Sequence, residues 1–472
     1  MSVVSCRVSA GVGRVQHPAR VAGLFAAAAL AMVAWAGDAH AQGITTQMLI
    51  GDAVNTDSLK NYTDVDQAIK YFINRDVLAA RQFLEAAKKK DPTLPPVDLL
   101  LAKMYFLGGN AQAGRASLEK TAGETPDDPE PFLILADQAL QQGRTVEADA
   151  LYERGMALTS KFNGAPKRKR NFEIRARAGR ASVAQRRRDW ATAANDLQDL
   201  LKIDPENAVA HYRLGQTLFM QNQYEKGYDQ FKEARAKDKN LPDPDVATAQ
   251  MYDQIKVADK AAKSQKFFDR AMANSKTDPA TVTAYAQWLI KMGTPETLAK
   301  AEGLLAEARK ANPGNLNLLI LSGVAARMGK KMKPAEDYFV EALGISPSNG
   351  DVINQLALLL VEQPDQGKRD RALAFAGMSS QLNNQNADAQ ITLAWTLYQL
   401  GRVADAEQAL RSGLSLGNPS PDSSYLVAKI LMDQNKTEPA KQLLKAALET
   451  ESPGIFIYRA DAQAAYDKLN KP

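Results

Sequence analysis

The 472-residue sequence predicts an all-α solenoid, one helix–turn–helix unit stacked many times. Three observations carry that prediction. Prolines recur 34 residues apart, at Pro92 and Pro126 and again at Pro279, Pro313 and Pro347. Small residues recur with them, as Ala301 and Ala335, and as Ala372, Ala406 and Ala440, with three extra residues in the loop around Pro364-Asp365-Gln366-Gly367. Each period holds two apolar patterns at i, i+3, i+4 and i+7, which place the apolar side chains of each helix on one face. A fixed period of this length marks a repeat array in which no unit buries its apolar face alone.

The elements follow in chain order. Arg7, Arg14 and Arg20 precede an uncharged stretch over residues 21–37, and Ala39-His40-Ala41 then supplies small residues on both sides of a cut. This is the pattern of a cleaved export signal over residues 1–41, leaving Gln42 as the new N-terminus. Residues 42–60 carry no helical pattern and are expected to form a linker or N-cap. Helical pairs are expected to start near residues 61, 95, 129, 174, 208, 245, 282, 316, 350, 387 and 421, eleven in all, spanning residues 61–454. Within the pair from 208, Leu214, Gly215 and Leu218 share a face of the first helix, and Gly227, Phe231 and Ala234 a face of the second. Small residues are needed where the two helices cross closely. The closing proline ends the second helix, because it cannot donate to the ladder and restricts the residue before it. Two pairs depart from the pattern: the one from 245 lacks a turn glycine and has Ser264 where alanine is usual, and the one from 129 lacks the closing proline. A basic insertion falls near residues 161–173. Residues 455–472 are expected to be a C-terminal capping helix, with Tyr466 and Leu469 facing inward.

A 34-residue helical pair of this kind resembles the tetratricopeptide repeat (TPR) family. The resemblance rests on Tyr71, Ala80, Leu84, Ala87 and Pro92, on Gly323, Ala335, Phe339, Ala342 and Pro347, and on Leu393, Ala394, Gly401, Ala406 and Leu410. It implies a right-handed α-solenoid of about eleven units, of the exported bacterial type, whose inner surface is lined by the first helix of each unit.

Composition removes much chemistry. Loss of residues 1–41 takes Cys6, His17 and His40 with it, and the remaining chain has no Cys and a single histidine, His211. Cysteine nucleophiles, disulfides, Cys-based zinc sites and two-histidine sites are thereby excluded. Residues 323–331 have the wrong spacing for a phosphate loop, and Asp64-Val65-Asp66 lacks the glycine and distal Glu of a calcium loop. No catalytic residue, metal site or cofactor is assigned, and an enzyme is not expected.

Two features point to partners. Residues 161–188 hold eleven Lys and Arg against one acid, Glu173. Lys167, Arg168, Lys169, Arg170, Arg175 and Arg186 are the candidate patch for an anionic envelope polymer, against the alternative of a solvated charged surface. The export signal and the lack of interleaved aromatics argue against nucleic acid. The second feature is apolar excess on the first helices. With Ile353, Leu356, Ala357 and Leu360 stacking, Leu358 and Val361 are left toward the groove. With Leu393, Ala394 and Leu397 stacking, Ile391, Trp395 and Tyr398 are left. Ile320, Val324 and Met328 match them one unit earlier, and Tyr425 and Met432 one unit later. Helices apolar nearly all round are covered by something; either tight curvature buries these residues or they form a groove for a protein or peptide. The expected function is an exported, non-enzymatic scaffold in the periplasm or secreted, with no stable membrane span after cleavage. The alternative is a subunit of an exopolysaccharide or cellulose assembly or export machine.

Overall fold

The computed structural model describes residues 43–54, 62–417, 419–450 and 454–470; the expected leader over residues 1–41 lies outside them. The described residues form 24 helices and no strand. The chain divides into two compact bodies, Met1–Asp238 and Lys239–Pro472.

The N-terminal body opens with a short helix, α1 (Thr46–Ile50), followed by five antiparallel pairs. These are α2 (Thr63–Ile73) with α3 (Val77–Lys90), α4 (Val97–Leu107) with α5 (Ala111–Glu124), α6 (Pro129–Gln141) with α7 (Thr145–Lys161), α8 (Pro166–Arg186) with α9 (Trp190–Ile203), and α10 (Ala208–Met220) with α11 (Tyr224–Lys237). The C-terminal body holds six more pairs. They are α12 (Pro244–Gln254) with α13 (Lys260–Asn274), α14 (Pro279–Met292) with α15 (Pro295–Ala311), α16 (Leu316–Met328) with α17 (Met332–Ile345), α18 (Gly350–Val361) with α19 (Gln366–Leu382), α20 (Ala387–Gln399) with α21 (Val403–Leu416), and α22 (Pro421–Asp433) with α23 (Thr437–Leu448). The helix α24 (Arg459–Leu469) closes it.

Local chemistry sets these boundaries. Asn207, Asn315, Asn349, Asn386 and Ser420 each precede a first helix and accept a hydrogen bond from one of its first free amides, satisfying donors that have no partner inside the helix. At Arg188, Asn222, Lys330, Gly401 and Asn435 the backbone turns through the left-handed region between the two helices of a pair. Inside a pair the crossing is close. A Cβ on Gly215 would lie 2.9 Å from the Gly227 carbonyl oxygen and 2.6 Å from the Phe231 ring, and one on Gly227 would meet the Gly215 carbonyl at 2.9 Å. The small residues singled out in that pair therefore sit where the two backbones meet. Ser264 is equally accommodated: it is fully buried, and its hydroxyl donates to the Ala249 carbonyl of the facing helix at 3.0 Å.

Two boundaries differ from expectation, and a third decides between alternatives. The basic stretch is no inserted loop. Pro166, whose fixed φ and missing N–H suit the first turn of a helix, starts α8 eight residues before the expected 174. Of the two alternatives for the residues before the first pair, linker or N-cap, residues 44–54 follow the N-cap, because Leu49 and Ile50 are completely buried in the core of the N-terminal body. The C-terminal cap begins only at Arg459; residues 455–458 before it are not helical.

Candidate functional site

In the C-terminal body, first helices lie directly on one another: α14 on α16, α18 on α20, and α20 on α22. One face of the stack is therefore made of first helices, and a stretch of the chain itself lies on it. Ile455 and Ile457 pack against the cluster that includes Val324, Leu356 and Leu359. Phe456 and Tyr458, the alternate residues, are buried in the cluster that holds Leu358, Val361, Ile391 and Trp395. The segment runs without regular structure at Ile455 and Phe456 and turns at Ile457 and Tyr458 into α24.

Polar contacts fix this segment. Asp422, in the first turn of α22, accepts the Tyr458 amide at 2.9 Å. Burial pushes the Asp422 carboxyl up to about 6, helped by Asp388 and opposed by the neighbouring Tyr458 and Ile457 N–H groups and by Arg327. The Tyr458 hydroxyl donates to Glu362 and accepts from Arg327. Arg327 also donates to Gln355 at 2.7 Å and to Glu362 at 3.0 Å, so the guanidinium ties α16 to α18 and to the segment. Its carbon lies 5.1 Å from the centroid of the Tyr458 ring, which also stacks on Tyr425 at 5.0 Å. A buried arginine needs such partners, because an unpaired charge in the interior is costly.

The apolar candidates divide. Val324, Leu358, Val361, Ile391 and Trp395 are at most 7 % exposed and belong to the core; none of these five is open surface. Ile391 lies where a Cβ on Gly413 would meet it at 2.9 Å, so it fills the crossing of α20 with α21, while Leu393, expected to stack, is half-buried. Ile320, Met328, Tyr398 and Tyr425 are half-buried at the edges of the same clusters. Trp395 and Tyr398 do share a face, with ring centroids 6.3 Å apart. The Tyr398 hydroxyl reaches Asp433 at 3.3 Å, while the Trp395 indole N–H is buried without an acceptor. Arg327, Glu362, Asp422 and Tyr458 were missed by the sequence reading. The available signal was Ile455-Phe456-Ile457-Tyr458 itself, an apolar run outside the repeat.

In the N-terminal body the basic candidates are tied to the fold. Arg168 is buried, donates to Glu130 at 2.6 Å and to Asp128 at 3.1 Å, and lies over the Phe162 and Phe172 rings. Arg175 pairs with Asp137, and Arg170 with Asp204 at 3.0 Å. Lys167 donates to the Gly51 carbonyl at 2.8 Å, Lys169 to Ser160, and Arg186 to Leu140 at 2.7 Å. Burial alone would raise the Glu130 carboxyl, but Lys103 and Arg168 hold it at about 2. Arg168, Arg170 and Arg175 are thus ion-paired, Arg168 in the interior, and Lys167, Lys169 and Arg186 bond backbone carbonyls; an anionic polymer partner finds no support in this arrangement. His211 is engaged at both ring nitrogens, by Gln230 at 2.7 Å and the Pro205 carbonyl at 3.0 Å. No helix among the described residues is long and apolar enough to cross a membrane, and none of their His, Cys, Asp and Glu side chains group to hold a metal.

Antiparallel helical pairs crossing at small residues, with first helices sharing one face, define an all-α helical-repeat protein. Residues 184–250 and 365–430 match the tetratricopeptide repeat family model, so these two stretches carry tetratricopeptide repeats. No curated protein sequence matches it. Among solved structures it is similar to yeast Tom70, at 14 % identity over 87 % of this chain and 96 % of that one, with a TM-score of 0.39. It is also similar to TTC0263, a thermophilic TPR protein of Thermus thermophilus, at 18 % identity over 39 % of this chain and 98 % of that one, with a TM-score of 0.32. A third, YrrB, described as a TPR protein with an unusual peptide-binding site, is 19 % identical over 41 % of this chain and 97 % of that one, with a TM-score of 0.28. The tetratricopeptide fold supports a protein-interaction scaffold and is in general non-catalytic.

Proposed function

We propose that the protein is an exported, non-enzymatic scaffold that binds a protein or peptide partner on the first-helix face of its C-terminal body. The observation that carries this reading is that the face already holds a short peptide segment, residues 455–458, through the Tyr458 backbone amide as well as through side chains. Helical-repeat arrays use such faces as extended binding surfaces. Ile320, Met328, Tyr398 and Tyr425, half-buried in the chain alone, would contact the partner. Export rests on the signal pattern before Gln42 and places the protein in the periplasm or outside the cell.

The test is affinity capture from envelope fractions with mass spectrometry, repeated with a Tyr398→Ala, Tyr425→Ala variant. A protein captured by the wild type and lost from the variant, at unchanged helicity, is the expected result; equal capture by both would remove the face from the proposal. Intact mass of the exported protein should show Gln42 as the first residue, whereas a membrane-bound species that keeps residues 21–37 would refute the cleaved signal.

A further inference from the structure

We propose that residues 455–458 are an intramolecular occupant of the partner site, displaced by a partner segment of like chemistry: alternating large apolar residues followed by a tyrosine. This rests on the scaffold reading and adds what the site selects. Asp422 supplies the part that reads no side chain, since it accepts the backbone amide of Tyr458. Arg327 and Glu362 supply the selective part. One donates to the Tyr458 hydroxyl and the other accepts from it, an arrangement fitted to a group that is donor and acceptor at once. Phenylalanine in that place would leave both without the hydroxyl. Tyr425 adds a ring face for the same tyrosine.

The segment is attached in a way that permits release. It lies outside the 34-residue repeat, so no helical pair is built from it. Only Ala462 of the following α24 is fully buried, with Tyr466 and Leu469 half-buried against the core. The contacts it makes join positions 131 and 96 residues apart in sequence, at Arg327 and Glu362. They are tertiary contacts made by a tail rather than part of a helix.

The experiment uses the full chain and a fluorescent synthetic peptide of residues 454–459. Wild-type protein should bind it weakly. A full-chain variant carrying Phe456→Ser and Tyr458→Ala, whose own segment is released, should bind it at least tenfold more tightly. The same peptide with phenylalanine in place of Tyr458 should lose about tenfold on the released variant. Equally weak binding by wild type and by a released variant of unchanged helicity would overturn the proposal.

If the variant does not fold, hydrogen exchange on the wild type decides. Amides of Ile457 and Tyr458 should exchange through a local opening, well before those within α20 and α22. Exchange of both sets at one common rate would make the segment permanent core and overturn the proposal. Failure here is separable from failure of the scaffold reading. A captured partner that binds wild type and released variant equally keeps the scaffold and removes the displacement. Tight binding of the peptide by the released variant keeps the proposal even where envelope capture yields no partner.

Discussion

Arg168 donates to the Glu130 carboxylate at 2.6 Å, joining α8 to the first turn of α6, with both side chains no more than 5 % exposed. Removing one member of a buried pair leaves the other uncompensated, at a cost of about 3–5 kcal/mol. Lys103 also pairs with Glu130 and softens the loss, so Arg168→Met is expected to cost about 3 kcal/mol. Repeat arrays can unfold in parts, so the check is denaturant unfolding together with hydrogen exchange in α6 and α8. A change below about 0.5 kcal/mol would return Arg168 to an ordinary surface charge.

The same pair predicts acid sensitivity. Glu130 is held at about 2, below its ordinary value of 4.5. A depressed carboxyl stabilises the folded state above the ordinary value, and that stability is lost as pH falls through the folded value. Protection in α6 and α8 should therefore decline between about pH 4.5 and 2, and decline less in Glu130→Gln. Parallel pH profiles for variant and wild type would contradict the assignment.

Two glycine substitutions should have opposite signs. Gly215→Ala puts a Cβ against the Gly227 carbonyl, which cannot rotate away, and overpacking of this kind costs about 1–3 kcal/mol. Gly303 lies on the exposed face of α15 with nothing within 4 Å of an added Cβ. Gly303→Ala should stabilise by about 0.5–1 kcal/mol, because alanine loses less backbone entropy in a helix. Melting temperatures of the two variants, measured side by side, check both.

Much of this architecture was legible in the sequence because the repeat is written in local terms. Ten of the eleven pairs begin within about three residues of where proline, glycine and alanine spacing put them, since caps and crossings are set by residues a few positions apart. The exception, α8, arose from reading a charge run as a loop although Pro166 marks a helix start. The site was far less legible. For inner-face residues such as Trp395 and Val361 the sequence leaves buried packing and an open groove as alternatives, because periodicity shows which side of a helix is apolar, not what lies against it. What lies near them is set by Tyr458 meeting Arg327 and Glu362 over long sequence distances, and no period encodes that.

Asp422 predicts a pH effect on the tail. Its carboxyl sits at about 6 when buried, above the ordinary 3.8. A raised carboxyl contributes stability that is full below the ordinary value and is lost as pH rises through the folded value. The fold around Asp422, on which residues 455–458 rest, should thus weaken from about pH 4 to 6. Exchange of the Ile457 and Tyr458 amides, corrected for intrinsic rates, should become faster over that window, by at most about tenfold per pH unit for one proton. Asp422→Asn keeps an acceptor oxygen without a titrating group and should flatten the profile; an unchanged slope would place the proton elsewhere.

Trp395 and Tyr398 separate packing from binding on one helix. Trp395 is 7 % exposed within the C-terminal core, so Trp395→Ala should cost about 3–5 kcal/mol as the cavity of a lost aromatic. Trp395→Phe should cost less, because it keeps most of the ring and removes an N–H that has no acceptor. Tyr398 is half-buried, and its hydroxyl bond to Asp433 is long at 3.3 Å. Tyr398→Ala should lower stability by about 1 kcal/mol while losing roughly tenfold or more in partner affinity, as an aromatic anchor does when a partner covers it. Thermal unfolding and partner binding measured on all three variants decide the matter. If Tyr398→Ala destabilises as much as Trp395→Ala and binds its partner normally, this helix serves packing alone and the partner face lies elsewhere on the body.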